Sequence, residues 1–164
     1  MNKTWRTVIG TLTAALAMLG TTGAATATVQ AAPHVAVLGS AKFDTHDPYS
    51  VFEFSVHARG DGRSGTGVLW MSHHNDESVG WMVARVDCVR PVGARAVVTA
   101  VVSDAQDFAP AAPGDRVALT VRDNGVKDTL SVASREQVRT CHMSPEPEFP
   151  ITRGDFRVLR LHPA

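Results

Sequence analysis

The chain has 164 residues, with Lys+Arg and Asp+Glu both at 16 and a formal charge of zero at pH 7. That length allows one ordinary domain, and the balanced charge excludes the basic excess that a nucleic-acid binder needs for phosphate contacts. Only Lys3, Lys42 and Lys127 are lysines among the basic residues, an arginine bias that points to a GC-rich bacterial genome.

The first element in chain order is a secretion signal. Lys3 and Arg6 form a short positive region, an apolar stretch from Val8 to Leu19 follows, and small residues run from Gly20 through Ala32. This is the pattern of a Sec signal peptide. Its apolar core falls short of the roughly 20 residues that a membrane span requires, and no later apolar run is long enough to span one. Two small-x-small sites fit cleavage: Ala25-Thr26-Ala27, and Val29-Gln30-Ala31, the preferred one. The reading is therefore a signal peptide over residues 1–31 and a secreted domain over 32–164. Cleavage removes Lys3 and Arg6 and no acidic residue, so the mature domain carries a net charge of −2. Roughly 130 residues remain, enough for a two-layer core.

The mature part reads as strands and turns. An early short strand covers Val35–Phe43. In Val51–Arg59, Phe52, Phe54, Val56 and Ala58 alternate with Glu53, Ser55, His57 and Arg59, the mark of a half-buried strand. The Gly- and Asp-rich stretch Arg59–Gly65 is a loop. Thr66–His73 is a strand, and Asn75-Asp76-Glu77 a turn. Val79–Val89 puts Met82, Ala84, Val86 and Cys88 on one face and Trp81, Val83, Arg85 and Asp87 on the other. A turn at Arg90–Gly93 leads into the valine-rich strand Ala94–Ser103. Asp104–Gly114, with Pro110 and Pro113, reads as a loop. Arg116–Arg122 alternates again, Asp123-Asn124-Gly125 is a turn signal, and Thr129–Ser134 is the next strand. Glu136–His142 reads as a short strand or a loop. Ser144–Pro150 is irregular by its three prolines, and Gly154–His162 is the final strand. Eight or nine short strands without a convincing helix predict an all-β domain, a single antiparallel β-sandwich or small β-barrel.

Cys88 and Cys141 are the only cysteines. In a secreted chain they are expected to pair, and the long loop they close gives about 4 kcal/mol in the chain-entropy model. The competing reading, a catalytic thiol, needs a base and an electropositive setting, and would have to survive oxidation outside the cell.

The strands of the mature part carry a recognisable layout, most apparent at Arg116–Asp123. Phe52, Phe54 and Ala58 are followed by Gly65 and Gly67, then by the valine-rich Ala96–Val102. Val121, Asp123, Asn124, Gly125 and Asp128 come next, and Gly154-Asp155 opens the last strand. This resembles a poorly characterised group of small secreted bacterial β-domains, found alone or beside surface-anchor modules. The resemblance spans about Ala36 to Leu161. It implies a β fold and secretion, and brings no established activity, cofactor or catalytic residue. The short Asn124-Gly125 to Asp128 spacing and the Pro-rich Ser144–Pro150 segment depart from the group's pattern.

Four constellations could carry chemistry. Asp123, Asn124 and Asp128 offer oxygen ligands for calcium, although an Asn-Gly hairpin turn explains the same residues and the ligand count is small. The seven histidines match no zinc spacing; His73 and His74 are adjacent and so point to opposite faces, while His57 and His73 become neighbours if their strands pair. Ser64-Gly65-Thr66-Gly67 has only a superficial likeness to a nucleophile loop, and no Gly-x-Ser-x-Gly elbow is present. Trp70 and Trp81 lie on neighbouring strands, where together they would form an aromatic patch suited to a sugar or a protein partner; ordinary packing is the competing explanation.

The reading that follows is a non-enzymatic secreted β-domain binding a protein, a cell-wall glycan or a small apolar ligand, without a cofactor. The alternatives are a small secreted hydrolase, with His57, His73 or Asp87 converging in a polar cleft, or a protease inhibitor presenting Ser144–Pro150.

Overall fold

Alternating apolar and polar side chains on an extended backbone face opposite sides of a sheet, and the chain uses this rule almost throughout. The structure, a computed structural model, describes residues 34–44, 50–109, 111–143 and 147–161. The expected signal peptide and both expected cleavage sites lie outside the described residues, as do Pro145 and Glu146. Seven longer strands come first: β1 (His34–Asp44), β2 (Val51–Gly60), β3 (Gly65–His74), β4 (Val79–Val92), β5 (Arg95–Gln106), β6 (Arg116–Arg122) and β7 (Thr129–Ser134). Three short pieces follow, β8 (Val138–Arg139), β9 (His142–Met143) and β10 (Phe149–Pro150), and then the long β11 (Arg153–Leu161). Arg135–Gln137 adds one turn of 3-10 helix.

Nine strands form one antiparallel sheet in the order β10–β7–β6–β5–β4–β3–β2–β1–β11. The all-β expectation holds, and it takes the form of one sheet rolled into a half-barrel. Two of the motif glycines permit the roll. Gly67 and Gly154 sit at φ +141° and +101°, and a Cβ on either would lie 2.1 Å from a carbonyl oxygen of the adjacent strand. A side chain there would push the neighbouring strand away. The inner face is the core: Phe54, Val56, Leu69, Met82, Val98 and Leu119 are all buried on it, and Phe156 of β11 closes one side.

The structure corrects several sequence boundaries. β4 runs through Arg90 and Pro91 to Val92, because those residues still pair with β5, and the turn falls at Gly93 and Ala94. β5 continues past Ser103 to Gln106 by pairing with Trp81–Val83. The largest correction concerns Cys88. Val86 pairs with Ala100 and Cys88 with Thr99, so Asp87 is an extra residue in the ladder. A bulge of this kind shifts the alternation by one. Val89 therefore joins the core, while Cys88 turns to the outer face, opposite to Met82, Ala84 and Val86.

That outward turn lets Cys88 hold a strap. Residues 135–143 and 147–150 lie against β5–β7, and Cys88 and Cys141 form a disulfide with Cα atoms 5.2 Å apart. Val138 and Met143 cover Ala118 and Ala133 in a small second core. Buried Thr99 links the parts: it accepts the Cys141 N–H at 3.1 Å and donates to Asp87 at 2.5 Å, and Asp87 also takes Arg116 at 2.6 Å. Farther along, Glu148 pairs with Arg95 and Arg122 and accepts from Thr129. The strap then rounds the edge of β7, where Phe149 pairs with Leu130. This covers part of an edge that would otherwise offer free backbone groups to another chain.

Candidate functional site

The rolled sheet leaves one end of its interior unfilled. Phe43, Phe52 and Phe54 alternate onto the inner face of β1 and β2, Phe108 follows β5, and Phe149 arrives from the strap. These five rings, of the six phenylalanines in the chain, line a single cavity of about 360 Å³ together with Met71, Val117 and Val132. Phe43 is the hub: its ring stacks on Phe52 at 5.0 Å, Phe149 at 5.2 Å and Phe54 at 5.5 Å. The polar side chains of the lining are His73, Ser134 and Gln137. His73 stacks on Phe52 at 4.3 Å, and its Nε2 lies 2.5 Å from Ser50 Oγ. An apolar concavity with a few polar groups is the usual form of a small-molecule site.

Sequence reasoning missed this cavity. The signal was present in Phe52 and Phe54 two residues apart, but Phe108 and Phe149 lie in segments without periodicity, so nothing local tied them to the same place.

Trp70 and Trp81 do share the outer face of adjacent strands. Trp70 pairs with Val83 and Trp81 with Ser72, so the two indoles are diagonal neighbours, both half-buried. Trp70 also stands beside Ser55 of β2 and borders a shallow trough on the outer face. Next to it the Lys42 ammonium hydrogen-bonds Glu53 and holds its carboxyl below the usual range, against the opposing effect of partial burial; His74 lies 3.7 Å from the same carboxylate.

Asp123, Asn124 and Asp128 serve the seam of the half-barrel. Asp128 is buried, and its two oxygens accept the N–H groups of Asn124 at 2.9 Å and Phe156 at 2.8 Å. Asp123 accepts the N–H groups of Gly125 at 3.2 Å and Val158 at 3.1 Å, while the Asn124 amide donates to the Lys127 carbonyl at 2.8 Å. The carboxylates on the β6–β7 connection thus bind backbone donors of β11, which belongs to the far side of the sheet. All four carboxylate oxygens are engaged by amides. Among the described residues, no group of three or more His, Cys, Asp or Glu is placed to hold a metal ion.

The proposed titratable cleft does not assemble. His57 is on the outer face of β2, His73 lines the cavity on the inner face, and Asp87 is bound to Thr99 and Arg116 at the bulge. Ser64 is a turn residue: the N–H groups of Arg63 and Ser64 and the Ser64 hydroxyl all donate to Asp61, whose carboxyl those amides hold below its usual range. Glu148 is tied to the sheet rather than presented on a free loop.

Comparison of the chain with family models, curated proteins and solved structures found no match. Among the described residues, no helix is long and apolar enough to cross a membrane.

Proposed function

We propose that this chain is a secreted, non-enzymatic domain of the bacterial cell exterior that holds a small apolar ligand in the phenylalanine cavity. The observation that carries this reading is the convergence of five phenylalanines, from β1, β2, the β5–β6 connection and the strap, on one partly open cavity of about 360 Å³. Phe43, Phe54 and Phe108 are buried in the core, while Phe52 and Phe149 remain half-buried and so keep apolar surface that a ligand would cover. The disulfide and the resemblance to secreted β-domains support the exterior setting.

The test is a titration with N-phenyl-1-naphthylamine, an uncharged probe that fluoresces in apolar surroundings. The native protein should bind it saturably, and Val132→Phe, which fills the cavity from β7, should abolish binding while the fold persists. Binding unaffected by Val132→Phe would place the probe elsewhere and remove the proposal.

One observation favours a second reading, a small hydrolase. Ser50 Oγ and His73 Nε2 are within hydrogen-bond reach beside the cavity, as a nucleophile and its base would be. Covalent labelling of Ser50 by a fluorophosphonate, lost in His73→Ala, would replace the binding reading with this one.

A further inference from the structure

We infer that the outer face carries a second binding site, a trough beside Trp70 that takes a carboxylate-bearing sugar ring. The trough is about 210 Å³, lies on the opposite side of the sheet from the phenylalanine cavity and does not depend on it. The register explains its shape. Ser40 of β1 pairs with Ser55 of β2, and Ser55 pairs with Trp70 of β3. Two short side chains in a row leave a depression two strands wide that ends against an indole on one side and, across Ser40, against Asp155 of β11 on the other. The floor offers two hydroxyls and the end wall a half-buried indole. A pyranose matches both: its hydroxyls meet Ser40 and Ser55, and its C–H face meets Trp70. An apolar protein side chain would leave the two serine hydroxyls without water or partner, which costs free energy.

Charge sets the class of sugar. Lys42, Glu53 and Arg153 line the trough, and Asp155 and Arg157 follow Arg153 at alternate positions of β11. Lys42 is paired with Glu53, which His74 also approaches, and Arg157 lies 3.5 Å from Asp155. Arg153 lines the trough, is exposed, and makes no ion pair among the described residues. A guanidinium in that position is a ready partner for a ligand carboxylate, which it can grip with two parallel hydrogen bonds. The ligand class is therefore an acidic saccharide such as a uronate.

The experiment compares trigalacturonate with neutral galactotriose by isothermal titration, using the full mature protein. Trigalacturonate should bind more tightly than galactotriose. Arg153→Gln, at an exposed position, should weaken trigalacturonate binding about tenfold and leave galactotriose unchanged, as expected for loss of one charge-assisted contact. Ser55→Trp should fill the trough and abolish both, while N-phenyl-1-naphthylamine binding continues and reports an intact fold. No binding to the native protein, equal binding of the two sugars, or binding that survives Ser55→Trp each overturns the inference. Self-association that disappears in Ser55→Trp, without sugar binding, overturns it in favour of a second copy of the chain.

Discussion

Replacing Asp128 with alanine tests how the half-barrel is held closed. Asp128 is 2% exposed, and its oxygens accept the Asn124 N–H at 2.9 Å and the Phe156 N–H at 2.8 Å. Alanine leaves the buried Phe156 N–H without a partner, a loss of about 1–3 kcal/mol, and removes a second charge-assisted bond in the β6–β7 turn. The expected destabilisation is about 3–4 kcal/mol, which for a domain of this size lowers Tm by roughly 10–20 °C. Asp128→Asn retains one acceptor but sets its amide against the other N–H, so it should lose about half as much. Urea unfolding followed by fluorescence measures the loss, and hydrogen exchange locates it: the Phe156 and Val158 amides should lose protection before those of β4 and β5. An Asp128→Ala protein within about 0.5 kcal/mol of the native one, with Phe156 still protected, would refute the seam argument.

Other perturbations separate the parts of the fold. Cys88→Ser combined with Cys141→Ser opens a 53-residue separation and should cost up to about 4 kcal/mol, with exchange rising first over residues 135–143. Gly67→Ala sets a Cβ 2.1 Å from the His57 carbonyl oxygen, so thermal unfolding should show a loss of several kcal/mol, about as large as a buried strain site gives. Glu53 has its carboxyl lowered from 4.5 by Lys42, so its contribution is present above pH 4.5 and disappears as pH falls through the depressed folded value. Glu53→Gln should therefore be less stable than the native protein at neutral pH, by less than about 1 kcal/mol, and the two urea midpoints should merge in acid. Millimolar calcium should leave Tm unchanged, because the Asp123 and Asp128 oxygens already hold amides; a concentration-dependent rise would show that they release them.

Most of the sheet was legible because alternation is a local signal. Arg116–Arg122 and Thr129–Ser134 coincide with β6 and β7, and the Trp70 and Trp81 faces follow from simple parity. Parity fails at a bulge, and no residue near Asp87 announces one, so Cys88 was assigned to the wrong face. The sequence placed a turn at Arg90–Gly93, yet the pairing continues through Pro91 to Val92. The Asp123–Asp128 motif was visible as a turn, but its partners Phe156 and Val158 are about thirty residues away and enter only when the sheet rolls. The phenylalanine cavity is non-local in the same sense. Two of its rings come from segments where sequence shows no period, so composition recorded the six phenylalanines without showing that five would meet.

The most direct test of the proposed function is native mass spectrometry on the protein collected from culture medium, beside its Val132→Phe variant. The native protein should carry an additional organic mass that disappears in the variant, with both chains two hydrogens lighter than their reduced forms. A native protein that is bare under conditions preserving non-covalent adducts, and that also rejects N-phenyl-1-naphthylamine, would contradict the assignment of the phenylalanine cavity as a binding site.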